Sequence, residues 1–185
     1  GGLAIHGAII GGAIALWLFT KKRGHNFRQL AAIAVTVLPL AQAFGRWGNY
    51  FNQELFGYPT NLPWGIPIEL ARRPWQYFDA SYFHPTFLYE SLGNLIIFLI
   101  LILLQIWLIK KQKSSTPPYE LSIISYAIFY SGLRFFTEYI RIDATPIVLG
   151  WRLPQIVSLL IILAGLFYLP LYFRRNTNHC QALEK

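Results

Sequence analysis

Apolar residues gather into five long runs, at about 3–20, 30–51, 86–109, 121–140 and 153–173, separated by polar stretches. Each run is near the ~20 residues that a helix needs to cross a bilayer core, so the pattern predicts five transmembrane helices in one membrane domain. The only long connection, 52–85, is rich in aromatics and prolines (Pro63-Trp64-Gly65, Pro67, Arg72-Arg73-Pro74-Trp75-Gln76-Tyr77-Phe78). Such a segment is expected to rest at the membrane interface, either as an anchor or as an element that admits substrate. Residues 174–185 form a polar tail, and Ser114-Ser115-Thr116-Pro117-Pro118 reads as a turn.

Composition agrees with the pattern. Hydrophobic residues make up 55% and charged residues 13% of 185, with six Trp, eleven Tyr and fourteen Phe, which excludes an ordinary soluble domain. The chain opens on glycine and contains no methionine, as expected of a fragment, and the single Cys180 rules out an intrachain disulfide framework. Ten of the sixteen basic residues, every lysine among them, lie at 21–28, 110–120 and 174–185 with only Glu120 and Glu184 for company, so these segments carry the whole +8 net charge. By the positive-inside rule they face the cytoplasm, and the connections 52–85 and 141–152 face the other side. The excess of basic residues is therefore a topology signal, and no nucleic-acid partner is expected.

That orientation collects the candidate chemistry on one leaflet. Arg46, Asn49, Asn52 and Glu54 close the second run, His6 opens the first, His84 and Glu90 open the third, and Arg134, Glu138 and Arg141 close the fourth. Charge at the end of an apolar helix must be paired or must hold something anionic. Arg134, Glu138 and Arg141 are spaced i, i+4, i+7, so one continuous helix face would present all three. They form either an ion-pair ladder that fixes helix packing, or a device in which Glu138 aims one arginine while another stays open to a phosphate. Arg46 and Arg134 would then flank one anion, such as a phospholipid headgroup. His84-Pro85 reads as a helix start with Pro85 at the first helical position, or as part of a site. His6 is either hydrogen-bonded to a neighbouring helix or a proton carrier. No metal site is expected, because the acids and histidines lack short ligand spacing and the arginines oppose a cation.

The string Gly45-Arg46-x-Gly48-Asn49-x-x-Asn52-x-Glu54-x-x-Gly57 resembles the signature of bacterial prolipoprotein diacylglyceryl transferases. His6-Gly7, His84-Pro85-x-x-Leu88-Tyr89-Glu90 and Arg134-x-x-x-Glu138-x-x-Arg141 resemble further motifs of that family in the same order, while Tyr50 stands where Phe is usual and Ala8 where a second Gly is common. The resemblance implies the last five helices of a seven-helix fold in the bacterial plasma membrane, its site facing outward, with a functional tyrosine and a periplasmic arm falling upstream. It also implies transfer of a diacylglyceryl group from phosphatidylglycerol to the lipobox cysteine of a prolipoprotein, the first step of lipoprotein maturation, without a cofactor. On this reading His6 is the first candidate base and His84 the second, and Arg46 and Arg134 stabilise the leaving phosphate. Asn49, Asn52, Glu54, Gly57, Glu90, Glu138 and Arg141 belong to the substrate site, and Cys180, on the wrong side, is not the acceptor. The rival class is a transporter or channel for an anionic substrate. It would place polar or broken helices near the midplane, whereas the inner halves here look dry.

Overall fold

The computed structural model describes residues 4–111 and 119–183, the side chains of 4–6, 8, 9, 111 and 175–183 excepted. Five helices carry the architecture: α1 (Ala4–Arg23), α2 (Phe27–Phe51), α3 (Thr86–Lys111), α4 (Tyr119–Thr137) and α5 (Leu153–Leu183). Two-stranded hairpins sit in the α2–α3 and α4–α5 connections, β1 (Ile66–Pro67) with β2 (Tyr82–Phe83), and β3 (Ile147–Val148) with β4 (Trp151–Arg152). Phe27–Phe51, Thr86–Lys110 and Leu153–Arg174 are each long and apolar enough to cross a membrane.

Local chemistry explains the first reversal. Gly24 at φ +69° ends α1 in the left-handed conformation that a side chain resists, His25 N–H returns to Thr20 O (3.0 Å), and Asn26 caps α2 by accepting from Arg28 N–H at 2.9 Å. Helix directions then alternate, as cross-contacts show. Ser91 Oγ donates to Ala43 O (2.9 Å) and Gln105 Nε2 to Ala32 O (3.1 Å) and Thr36 Oγ1 (2.8 Å), so α2 and α3 are antiparallel. Arg28 pairs with Glu120 at 2.6 Å, which brings the starts of α2 and α4 to one end of the bundle. Small residues let the helices close: an added Cβ on Gly165 would sit 2.7 Å from Ile128, and one on Gly93 would collide with Leu133. Buried positions are often polar (Thr36, Asn94, Ser122, Ser158), while Phe44, Ile109 and Phe167 point outward. This inversion of the usual distribution suits helices whose outer faces meet lipid.

The 52–85 connection is folded. Phe56, Ile68 and Phe83 form a buried cluster with Ile66, Tyr77, Ala80 and Ile142 around it, and Arg73 holds the arm together by donating to Ile68 O (2.8 Å) and Phe78 O (3.0 Å). Three expectations are corrected. α4 stops at Thr137, not 140, so Arg141 lies off the helix: Tyr139 N–H and Ile140 N–H bond to Phe136 O and Thr137 O in tightened turns, and Arg141 then pairs as extended backbone with Gly57. α3 begins at Thr86, one residue after Pro85. Finally, the segment expected as a tail continues α5 to Leu183.

Candidate functional site

Because α2 and α4 end where α3 and α5 begin, four helix termini meet at one end of the bundle. The turn that closes α2 shapes one side of the site. Asn52 N–H returns to Gly48 O (2.9 Å), Gln53 takes φ +51°, and Glu54 N–H returns to Asn49 O at 3.0 Å. Glu54 is thereby folded back so that its Oε1 accepts from both Asn49 Nδ2 (3.0 Å) and Asn52 Nδ2 (3.2 Å). Arg46 Nη1 donates to Asn49 Oδ1 at 3.4 Å, which links this turn to the charges behind it.

Those charges centre on Glu90, whose side chain is 4% exposed. Its Oε2 meets Arg46 Nε at 2.5 Å, and its Oε1 meets Arg141 Nη1 at 3.2 Å and Arg134 Nη1 at 3.6 Å. Three guanidiniums, from α2, α4 and the turn after α4, thus share one carboxylate. A second buried carboxylate, Glu138, holds Arg134 Nη2 at 2.7 Å on one side and Arg152 Nε at 3.1 Å on the other. Asp143 engages Arg141, with Nη2–Oδ2 at 2.8 Å and Nε–Oδ1 at 3.0 Å. Burial works against the Arg141 charge, but the hydrogen bonds to Asp143 and the neighbouring carboxylates outweigh it, and its pKa is raised above the ordinary value. Among the described residues, Arg134 Nη1 and Asn94 Oδ1, both near Glu90, and Glu138 Oε2 are buried without a hydrogen bond. A buried donor or acceptor left without a partner in this way calls for one, from a water or a ligand.

Arg46, Asn49, Asn52, Glu54, Glu90, Arg134, Glu138 and Arg141 are therefore joined by hydrogen bonds and ion pairs. Gly57 contributes backbone: its N–H donates to His84 O at 2.9 Å, and a Cβ there would lie 2.7 Å from His84 Cβ and 2.8 Å from Ile140 O. Gly57→Ala should therefore displace the Arg141 segment and destabilise the fold by about 1–3 kcal/mol; thermal melting of the purified variant measures this. His84 is half-buried and its Nδ1 lies 3.1 Å from the Tyr89 hydroxyl, which also accepts from Trp64 Nε1 at 2.8 Å. Among the described residues it makes no hydrogen bond to an arginine. The His6 side chain lies outside the described residues. Sequence reasoning passed over Arg152, Asp143 and Thr145. An arginine placed directly before the apolar run 153–173 was the available signal for Arg152, by the same cost argument that singled out Arg46. Among the described residues no three His, Cys, Asp or Glu side chains gather to hold a metal ion.

A family model described as prolipoprotein diacylglyceryl transferase matches residues 1–171. The chain is similar to three curated proteins, each called phosphatidylglycerol–prolipoprotein diacylglyceryl transferase. That of Thermosynechococcus vestitus is 45% identical over 166 residues, covering 89% of this chain and 59% of the relative. That of Synechococcus elongatus is 46% identical over 168 residues, covering 89% and 56%, and that of Acaryochloris marina 45% over 167 residues, covering 90% and 58%. The chain thus spans less than two thirds of the length of these relatives.

Proposed function

The chain belongs to the prolipoprotein diacylglyceryl transferase family, and from that premise we propose that it carries out the reaction for which its relatives are named, moving a diacylglyceryl group from phosphatidylglycerol to a lipobox cysteine of a prolipoprotein. The observation that carries this reading is the meeting of Arg46, Arg134 and Arg141 on Glu90, with more guanidiniums than carboxylates. In the reaction the peptide's sulfur attacks the glyceryl carbon and forms the thioether. The carbon–oxygen bond to phosphate breaks, and glycerol phosphate leaves with the electron pair. Charge grows on that phosphate as the bond breaks, so guanidiniums already fixed by Glu90 and Glu138 favour the transition state over the ground state. Arg46 and Arg134 fill this role, while Asn49, Asn52 and Glu54 hold the glycerol hydroxyls and aim Arg46.

A thiol of ordinary pKa near ~8.5 is mostly protonated at neutral pH and needs a base. His6 serves as that base. His6→Gln is expected to slow transfer by about 10²–10⁴-fold at unchanged melting temperature; an unaltered rate would move the base to His84 or to solvent. Lys21, Lys22, Arg23 and Arg28, with Lys110 and Lys111 at the end of α3, fall at the end of the bundle opposite the arginine cluster. On this proposal α1 and α4 complete five spans and the site opens to the extracytoplasmic face of the bacterial plasma membrane, a reading that the positive-inside rule supports. The test is to reconstitute the full-length protein with labelled phosphatidylglycerol and a lipobox peptide. A thioether-linked diacylglyceryl peptide is the expected product, and its absence overturns the proposal.

A further inference from the structure

Most of the Arg152 guanidinium is engaged by its own chain. Its Nη1 donates to Glu138 O at 2.7 Å and Arg141 O at 2.6 Å, its Nη2 to Asp143 O, and its Nε to Thr145 Oγ1 at 2.7 Å while lying 3.1 Å from Glu138 Oε1. The Arg152 backbone N–H is in turn fixed by Gln155 Oε1 at 3.2 Å. With four of its five N–H donors committed, its guanidinium is turned chiefly toward protein. Two consequences follow. First, the carbonyls of Glu138, Arg141 and Asp143, in the turn after α4, are gathered by one planar fork, which sets the course of residues 138–143 and so the position of Arg141. Second, the fork shares Glu138 with Arg134, which otherwise would face that buried carboxylate alone.

Charge counting makes the second consequence specific. Among the described residues the connected ion pairs join Arg46, Arg134, Arg141 and Arg152 to Glu90, Glu138 and Asp143, four cations to three anions. Removing Arg152 leaves three against three. We propose that Arg152 is a positioning residue for the transfer reaction: by balancing Glu138 it leaves Arg134 and its neighbours with the surplus positive charge that an anionic headgroup requires. This rests on the transferase reading given above.

The test is a double-mutant cycle in the full-length protein, reading kcat/KM for phosphatidylglycerol in the thioether assay. Arg152→Gln should lower kcat/KM about 10–100-fold, and Glu138→Gln should cost much less in the Arg152→Gln background than in the wild type, because the carboxylate it removes is the one left unbalanced. Arg152→Lys, which keeps the charge and loses the fork, should retain more activity than Arg152→Gln. A merely structural Arg152 would give losses that multiply and track melting temperature; that result, or Arg152→Gln activity within twofold of wild type, overturns the proposal. Where Arg152→Gln yields no folded protein, Arg152→Lys is read alone: kcat/KM within about threefold of wild type supports the charge role, and a loss of about tenfold or more at unchanged melting temperature overturns it. Failure of the wild type to form thioether would instead strike the transferase reading itself.

Discussion

Arg46→Ala is expected to lower diacylglyceryl transfer by on the order of 10³-fold while leaving the protein folded. One preorganised donor at a developing oxyanion is worth about 10²–10³-fold, and here the donor also carries charge. The fold survives because Glu90 keeps Arg141 at 3.2 Å and Arg134 at 3.6 Å when Arg46 is gone. Arg46→Lys should not restore the rate. The native side chain uses Nε for Glu90 and Nη1 for Asn49, two directions at once, and a single ammonium cannot reproduce both. The measurement is kcat/KM with reconstituted phosphatidylglycerol and peptide beside a melting curve. Near-normal transfer by the alanine variant removes Arg46 from the mechanism.

Glu90→Ala should lose both activity and stability. A carboxylate 4% exposed and shared by three guanidiniums is the counter-ion of the cluster, and deleting one partner of a buried pair costs about 3–5 kcal/mol because the remaining charge stays buried. A drop in melting temperature on the order of 10 °C follows. The contrast between the two variants is the informative part: Arg46 removal spares stability, Glu90 removal does not. An unshifted melting curve for Glu90→Ala would mean that the three arginines are held apart by other means.

Members of the charged cluster were readable along the chain because charge beside apolar helices must be accounted for. Arg46, Arg134 and Glu138 announced themselves in that way, and the i, i+4 spacing of the last two is realised as a 2.7 Å ion pair. The manner of convergence was not readable. Arg141 reaches Glu90 from a turn and not from a helix face, and the carbonyls of that turn are held by Arg152, fourteen residues beyond Glu138. Nor did Glu90 show itself as the hub, because a carboxylate meeting groups from three separate segments leaves no local pattern. The hairpin of Ile66–Pro67 with Tyr82–Phe83 was equally hidden, two residues per strand being too few to display alternation.

The backbone stitching of the 52–85 arm to the end of α4 also bears on how defects will be inherited. Gly57 bridges Arg141, Tyr58 N–H donates to Ile140 O at 2.9 Å, and His84 N–H donates to Tyr58 O at 3.0 Å. A substitution that shrinks Phe83 or Ile68 therefore shifts a guanidinium it never touches, and small misplacements of reacting groups are enough to lose most of a rate. Genetic screens for loss of function should accordingly return aromatic and aliphatic positions of the arm alongside the arginines, and such alleles will mimic damage to the charged cluster.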